Sequence, residues 1–354
     1  MARSIRNPFL SRALQRSLRT LTRRALRSGT RIATQSLRSS AKRGVALSAR
    51  ATPVLVRAPK ATPTVRRRKA TAGPASGMTR GVAGLRRYRL FKPPNIARGE
   101  RLPLLVMLHG CGQDAEALAV SSRMNGVAAR ERFVVLYPEQ DRTANPQGCW
   151  NWYALRSGRA QAEAASIEAA IDQVCRLQVV DPQRIALAGL SAGASMAALL
   201  AVRAPQRYRA VAMHSGIPPG AASSTATALM AMRGQRAPSP LATLPEGIRL
   251  PVLLEIQGSA DAVVAPRNGD EAVRLWGAQA GAKAGPARIV QRGRRYPSTV
   301  VDYRVAGRLV ATHCLVRGLG HAWSGGTREA YSDPRGPDAS RMIWAFARKA
   351  FDAV

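Results

Sequence analysis

Acidic residues are missing from the first part of the chain. Residues 1–99 hold 25 of the 55 Lys and Arg residues and none of the 20 Asp and Glu residues, and the first acid is Glu100. A segment with this self-repulsion and few aromatic residues does not easily form a compact core. The sequence therefore predicts a basic, largely disordered leader over residues 1–80 and a globular body over residues 81–354.

Cysteine, histidine and long apolar runs are also scarce. The chain has four cysteines and four histidines, with no CxxC pair and no Cys/His cluster, which excludes a disulfide-stapled mini-protein and indicates no metal site. No apolar run approaches the roughly 20 residues of a transmembrane helix. Any histidine that acts as a base must therefore be one of these four.

The start of the leader has an amphipathic pattern with arginines between its leucines. Such a stretch suits an anionic membrane or granule surface, or nucleic acid bound by counterion release, and its composition resembles a transit leader. A disordered tail, or a start codon placed too far upstream, is the alternative. The sequence contains no motif of the kind that reads a groove of nucleic acid, so it does not predict sequence-specific recognition. The leucines of this stretch are Leu10, Leu14, Leu18, Leu21 and Leu26.

The body alternates apolar runs with helical stretches, which predicts an α/β fold with a mostly parallel sheet and helices on both faces. One helix is expected over 115–130, and an irregular Ala/Ser/Pro-rich segment over 218–245. The expected strands lie at 102–108, 133–137, 184–188, 210–213 and 251–256, with β-rich stretches at 299–303 and 309–316.

One serine lies in a G-x-S-x-G pattern. Ser191 is the centre of the sequence GLSAG over 189–193, directly after a predicted strand and directly before a predicted helix. A turn this tight needs small neighbours and holds the hydroxyl clear of the sheet, beside the positive end of the helix. The pattern predicts a nucleophile at Ser191.

A serine nucleophile needs a base and an orienting acid, which follow it in the order acid then histidine on sheets of this type. His321 lies in a glycine-rich loop after a strand, whereas His313 lies inside a strand and is expected to be a packed residue. Asp261 follows the strand at 251–256 directly. The rival acids, Asp270, Glu271 and Asp302, fall in a helix or a later strand, so we expect Asp261 and His321 to complete the triad.

The oxyanion of an acyl-transfer intermediate needs two N–H donors. The run HGCGQ over 109–113 ends the first strong strand, where such sheets supply one donor, and Cys111 is the expected residue. The N–H of Ala192 is the expected second donor. A glycine-rich turn with only a steric role remains the alternative.

Several separate segments resemble the polyhydroxybutyrate (PHB) depolymerase family of esterases, which are α/β-hydrolases related to feruloyl and acetylxylan esterases. The resemblance covers about residues 85–350. It implies an α/β-hydrolase fold, a triad that maps onto Ser191, Asp261 and His321, and no metal or organic cofactor. Family members that are secreted carry signal peptides, whereas this leader has none of the standard form, so extracellular and cytoplasmic or granule-associated locations both remain open. The segments are LHGCGQ (108–113), RMN (123–125), YPEQ (137–140), NPQGCWNW (145–152), HSG (214–216) and GHAWSGG (320–326).

Aromatic residues near the proposed site are candidates for lining the substrate cleft, although ordinary core packing explains them equally well. They are Trp150, Trp152, Tyr153 and Trp323. Cys111 and Cys149 lie in loops near the site and would be bridged in an oxidising compartment, but four cysteines allow three complete pairings and the sequence does not choose among them.

The sequence thus predicts a serine carboxylesterase whose substrate is a short-chain polyester or its oligomers. Feruloyl or acetyl esters on plant polysaccharide are the alternative substrates. A basic surface-binding or nucleic-acid-binding protein with an inert hydrolase body is the alternative from another class. The oligomeric state is not readable from the sequence.

Overall fold

The computed structural model describes residues 78–83 and 86–353. Most of the predicted leader, including its amphipathic leucine stretch, lies outside these residues. The first described strand begins at Met78, slightly before the boundary that the composition predicts.

Thirteen strands are formed by the described residues, and eleven of them make one sheet. The other two form a small separate parallel pair. In chain order the strands are β1 (Met78–Ala83), β2 (Arg86–Phe91), β3 (Leu102–Leu108), β4 (Val134–Pro138), β5 (Val180–Leu190), β6 (Ala210–His214), β7 (Val252–Gly258), β8 (Lys283–Ala284), β9 (Arg288–Val290), β10 (Ser298–Val305), β11 (Arg308–Val316), β12 (Trp323–Ser324) and β13 (Ser332–Asp333).

The centre of the sheet is parallel and both edges are antiparallel. The strand order is β1-β2-β4-β3-β5-β6-β7-β11-β10-β8, with β9 also paired to β10. Strands β4 through β11 in this order run parallel, whereas β1, β2 and β10 are antiparallel to their neighbours. The carboxyl ends of the parallel strands therefore meet at one edge, where ligand sites form in open α/β sheets.

Helices cover both faces of the sheet, as the sequence predicts. In β3, Leu104 and Val106 pack into the core on one face, while Leu105 and Met107 pack into the core on the other. This explains the continuous apolar run, because a strand buried on both faces shows no alternation. No helix in the described part of the chain is long and apolar enough to span a membrane. The helices are α1 (Ala115–Ser122), α2 (Met124–Glu131), α3 (Arg159–Leu177), α4 (Ala192–Arg203), α5 (Thr225–Met232), α6 (Arg267–Ala280) and α7 (Ala339–Asp352).

The single helix expected over 115–130 is two helices. Arg123 adopts a left-handed conformation (φ 59°) and separates α1 from α2. The Ser122 hydroxyl accepts a hydrogen bond from the Met124 N–H at 3.3 Å, which gives the backbone an alternative to the helical hydrogen bond. The helical pattern of the sequence does not show that a serine side chain competes with the backbone carbonyl for this N–H group.

The segment expected to be irregular, 218–245, contains α5. Its N-terminus is fixed by a capping box, in which the Ser224 hydroxyl accepts from the Thr227 N–H and the Thr227 hydroxyl accepts from the Ser224 N–H. The strand expected at 184–188 is longer than predicted, because β5 already begins at Val180 and its pairing with β3 shifts register near that end.

Candidate active site

Ser191 lies on a sharp turn between β5 and α4. Its backbone has φ 56° and ψ −121°, a strained conformation for a residue with a side chain. Both flanking glycines are required sterically: a Cβ on Gly189 would lie 2.3 Å from the carbonyl carbon of Gly193, and one on Gly193 would lie 2.1 Å from the Leu108 oxygen. The turn therefore presents the serine above the carboxyl ends of the strands.

A cavity of about 270 Å³ opens at this turn. It is lined by Ser191, by Ala192 at the start of α4, and by Gly110 and Cys111 from the loop after β3. That loop lies against the serine, since a Cβ added to Gly110 would be 3.6 Å from the Ser191 Cβ. The structure thus brings the predicted nucleophile and both predicted oxyanion residues to one cavity.

His321 also lines this cavity, with Asp261 behind it. The imidazole Nδ1 lies 2.8 Å from Oδ2 of Asp261, whose side chain is fully buried. Oδ1 of the same carboxylate accepts from the N–H groups of Val263 and Val264, each at 2.9 Å. Burial raises the pKa of Asp261, but His321 and these two N–H groups outweigh it, so the pKa lies below the usual value.

The other three histidines do not line the cavity. His214 is fully buried, its Nε2 accepts from the Ser324 N–H at 3.0 Å, and burial lowers its pKa to about 3. Burial likewise lowers the pKa of His109 to about 4. His313 lies inside β11 with its Nε2 3.1 Å from the buried carboxylate of Glu255, so it is a packed strand residue, as expected.

The loop after β3 is fastened to the cavity wall at three points. A disulfide joins Cys111 to Cys149, one of the pairings that the sequence leaves open. The Gly112 N–H donates to the Gln147 carbonyl at 2.9 Å, and Nε1 of Trp150 donates to the His109 carbonyl at 3.0 Å. The backbone beside Ser191 is therefore held rigidly.

A buried polar network supports this wall from behind. Glu163, in the first turns of α3, accepts from both the backbone N–H and the side-chain amide of Asn151 and from Nε2 of Gln140. Arg86 donates to the Gln140 side chain at 2.9 Å, and its guanidinium lies 5.1 Å from the centre of the Trp150 ring. Both buried charges are thus hydrogen-bonded to neutral polar groups, and Gln140 bonds to each of them, which offsets the cost of their burial.

Three of the four predicted aromatic residues line the cavity, namely Trp150, Trp152 and Tyr153. Trp323 does not. It is fully buried, stacks on His214 with ring centres 5.3 Å apart, and donates from Nε1 to the Ser340 hydroxyl at 3.1 Å. Trp323 therefore packs beneath the His321 loop and does not contact the cavity.

Some cavity residues carry no signal in the sequence. They come from loops and helices that the sheet topology brings together, and none of them belongs to the G-x-S-x-G pattern or to the short segments that carry the family resemblance. Among the described residues, no group of three or more His, Cys, Asp and Glu is placed to hold a metal ion. The unpredicted lining residues include Arg159, Ile217, Thr225, Met232, Val263, Val264 and Tyr331.

Comparison with solved structures identifies the fold. The acetyl xylan esterase from Aspergillus awamori superposes with a TM-score of 0.58 at 16% sequence identity, covering 76% of this chain and 99% of that one. The chain therefore has the α/β-hydrolase fold that the sequence predicts.

The family follows from the sequence comparisons. The family described as "Esterase PHB depolymerase" matches residues 86–295, and the chain belongs to it. The match includes Ser191 and Asp261 and ends before His321.

Two curated relatives share part of their length with this chain. Poly(3-hydroxyalkanoate) depolymerase C of Paucimonas lemoignei is 29% identical over 242 residues, which cover 66% of this chain and 58% of that protein. Feruloyl esterase B of Neurospora crassa is 27% identical over 188 residues, covering 49% of this chain and 63% of that protein. The chain thus spans about three fifths of the length of these relatives.

Proposed function

We propose that the protein is a serine carboxylesterase that hydrolyses short-chain hydroxyalkanoate esters. The observation that carries the proposal is the shared cavity, which is lined both by Ser191 on its strained turn and by His321, itself held 2.8 Å from Asp261. This is the arrangement of nucleophile, base and orienting acid that acyl transfer requires. The family and the named relatives support ester chemistry.

The mechanism proceeds through an acyl-enzyme. Ser191 Oγ attacks the ester carbonyl while Nε2 of His321 takes its proton and then gives it to the leaving alcohol. Asp261 holds the imidazole tautomer and stabilises the cation. Water then attacks the acyl group, and Nε2 of His321 takes its proton and passes it to Ser191 Oγ. This step releases the acid and regenerates Ser191. The N–H groups of Cys111 and Ala192 hold the oxyanion in both steps.

A cavity of about 270 Å³ is small for a ligand site, which favours a short acyl group. Short hydroxyalkanoate esters suit this size and match the name of the Paucimonas lemoignei relative. Feruloyl and acetyl esters are the second candidate, favoured by the names of the Neurospora crassa relative and of the similar structure.

The proposal is tested with Ser191→Ala and a fluorophosphonate probe. We expect the probe to label the wild type covalently at Ser191, and the variant to lose labelling and at least about 10³-fold of p-nitrophenyl butyrate turnover. Ser239→Ala is the matched control, because Ser239 is exposed and its hydroxyl makes no hydrogen bond with the described residues. Full turnover by Ser191→Ala would refute the proposal, whereas a wild type with neither labelling nor turnover would favour a basic binding protein with an inert hydrolase body.

A substrate panel then separates the two ester classes. We expect 3-hydroxybutyrate oligomers to be cleaved with a higher kcat/KM than feruloyl or acetylxylan esters. The reverse order would assign the enzyme to the second candidate class.

For the leader, we propose binding to an anionic surface through its arginines. Truncation should end at residue 77, because deletion to residue 80 would remove part of β1. The truncated protein is expected to keep its turnover of p-nitrophenyl butyrate and to bind anionic vesicles more weakly. Unchanged vesicle binding would refute this role.

A further inference from the structure

Within the described part of the chain, one permanently charged side chain lines the catalytic cavity. Of the described lining residues, Arg159 is the only Lys, Arg, Asp or Glu. The remaining lining is apolar, aromatic or neutral and polar, apart from the imidazole of His321. A lone cation in a neutral cavity favours a ligand with one negative charge near it.

Arg159 has no partner for its charge within the described residues. It is exposed and makes no hydrogen bond or ion pair there. Some other arginines of the body are paired with carboxylates, such as Arg132, 2.6 Å from Glu100, and Arg184, 2.6 Å from Asp181, but they do not line the cavity. The guanidinium of Arg159 therefore keeps all of its donors for a ligand.

The position of Arg159 is unfavourable for a purely structural cation. It is the first residue of α3, whose N-terminal end carries partial positive charge and has no acidic residue in its first turn. Gly158, the cap residue, supplies no side-chain hydrogen bond. An anion bound to Arg159 would offset this repulsion.

The neighbourhood of Arg159 also offers neutral hydroxyl groups. Tyr153 and Thr225 both line the cavity. Burial raises the pKa of Tyr153, while a hydrogen bond with Thr225 and the charge of Arg159 act in the opposite direction. A carboxylate beside Arg159 would thus meet a charged fork and hydroxyl donors at once.

We propose that Arg159 binds the free carboxylate of a hydroxy-acid oligomer, so that the enzyme prefers substrates ending in a carboxylate over neutral esters. This inference rests on the proposed function and specifies its substrate class. Oligomers of 3-hydroxybutyrate end in a carboxylate, whereas the acetyl and feruloyl groups of polysaccharide esters carry none. The cation therefore discriminates between the two candidate classes.

The experiment compares the 3-hydroxybutyrate trimer as the free acid with the same trimer capped as its methyl ester. For Arg159→Gln we expect kcat/KM on the free acid to fall about ten- to hundredfold, mostly through KM, because a charge-assisted hydrogen bond is lost. The ratio of kcat/KM on the free acid to kcat/KM on the capped trimer should therefore fall by about tenfold or more. Arg159→Lys should recover part of the preference, since it restores the charge but not the planar fork.

Arg156→Gln is the matched control, because it removes one positive charge from the exposed turn just before α3 and Arg156 does not line the cavity. We expect it to leave the preference for the free acid unchanged. The wild-type preference should also weaken as NaCl is raised, as an exposed charge interaction does.

Equal losses on the free and capped trimers, no loss on either, or an identical effect of Arg156→Gln would overturn the inference. In each of these cases Ser191-dependent turnover of p-nitrophenyl butyrate would still support the proposed function. Loss of that dependence would instead refute the proposed function itself.

Discussion

His321 and Asp261 lie 2.8 Å apart through Nδ1 and Oδ2, although 60 positions separate them in the chain. Each follows one of two adjacent parallel strands, β11 and β7, whose last paired residues are Val316 and Gly258. An ionised carboxylate only accepts hydrogen bonds, so Nδ1 carries the proton and Nε2 keeps its lone pair. This tautomer is the one that a general base for Ser191 requires.

Gln257 is expected to position the Asp261 carboxylate. Its Nε2 donates to Oδ2 of Asp261 at 3.2 Å and to the Val264 carbonyl at 3.1 Å. Gln257→Met removes this donor at similar volume, and we expect kcat for p-nitrophenyl butyrate to fall about tenfold with KM nearly unchanged. Steady-state kinetics separate the two parameters. The control is Gln279→Met in α6, where the amide bonds only the Ala242 carbonyl; an equal loss in both variants would contradict the prediction.

The nucleophile turn is expected to tolerate no side chain at Gly193. In Gly193→Ala the new Cβ would lie 2.1 Å from the Leu108 oxygen and 2.6 Å from the His109 oxygen, both of which are backbone atoms. We expect a loss of at least about 3 kcal/mol in the free energy of unfolding, measured by urea denaturation. Gly126→Ala in α2 is the control, since its Cβ meets only an arginine side-chain end at 3.8 Å. Similar stability of the two variants would show that the turn can relax.

The sequence predicts the parts of the site that depend on short-range pattern. The GLSAG motif, with a strand before it and a helix after it, locates Ser191, because the steric demand of the turn is local. Asp261 and His321 can be proposed for a related reason: residues directly after parallel strands meet at one edge of the sheet. Their catalytic roles remain predictions until the variants are measured.

The cavity wall is harder to predict, because it depends on the paths of long connections. Arg159, Met232 and Tyr331 come from three separate segments that no spacing rule links. Trp323 illustrates the reverse error: its place next to His321 in sequence suggests contact with substrate, yet a buried partner in Ser340 holds it away from the cavity. Adjacency along the chain does not determine which way a side chain points.

The Cys111–Cys149 disulfide is expected to stabilise the fold and the oxyanion loop together. It closes a segment with a sequence separation of 38, for which the chain-entropy relation gives about 4 kcal/mol, an upper value for most measured cases. Replacing both cysteines with alanine should lower the free energy of unfolding by about 2–4 kcal/mol. It should also lower kcat, because Cys111 lines the cavity beside Ser191.

Replacement of Cys175, a free and half-buried cysteine, is the control for the loss of a thiol. We expect Cys175→Ala to change neither kcat nor the response to dithiothreitol. Urea denaturation with and without dithiothreitol checks both expectations. A wild type whose stability is unaffected by the reductant would count against a structural role for the disulfide.

Two buried histidines are expected to make the fold sensitive to acid. Burial lowers the pKa of His109 to about 4 and that of His214 to about 3, from an ordinary value of 6.5. As the pH falls below 6.5, the unfolded chain binds protons that the folded chain refuses, so stability falls by up to about 1.4 kcal/mol per pH unit for each histidine. Burial raises the pKa of Glu255, so the folded chain keeps a proton there that the unfolded chain releases. This opposes the effect of the two histidines, and the net difference in bound protons therefore stays below two.

Urea denaturation at pH 6.5, 5.5 and 4.5 measures this slope before carboxylates with lowered pKa values, such as Asp261, contribute strongly. His109→Asn keeps a polar side chain and removes one titrating group. Its unfolding free energy should therefore depend on pH less steeply than that of the wild type, by about one proton over this range. The same slope in both proteins would mean that His109 binds a proton equally well in the folded and the unfolded chain. That result would contradict the effect expected from the burial of His109.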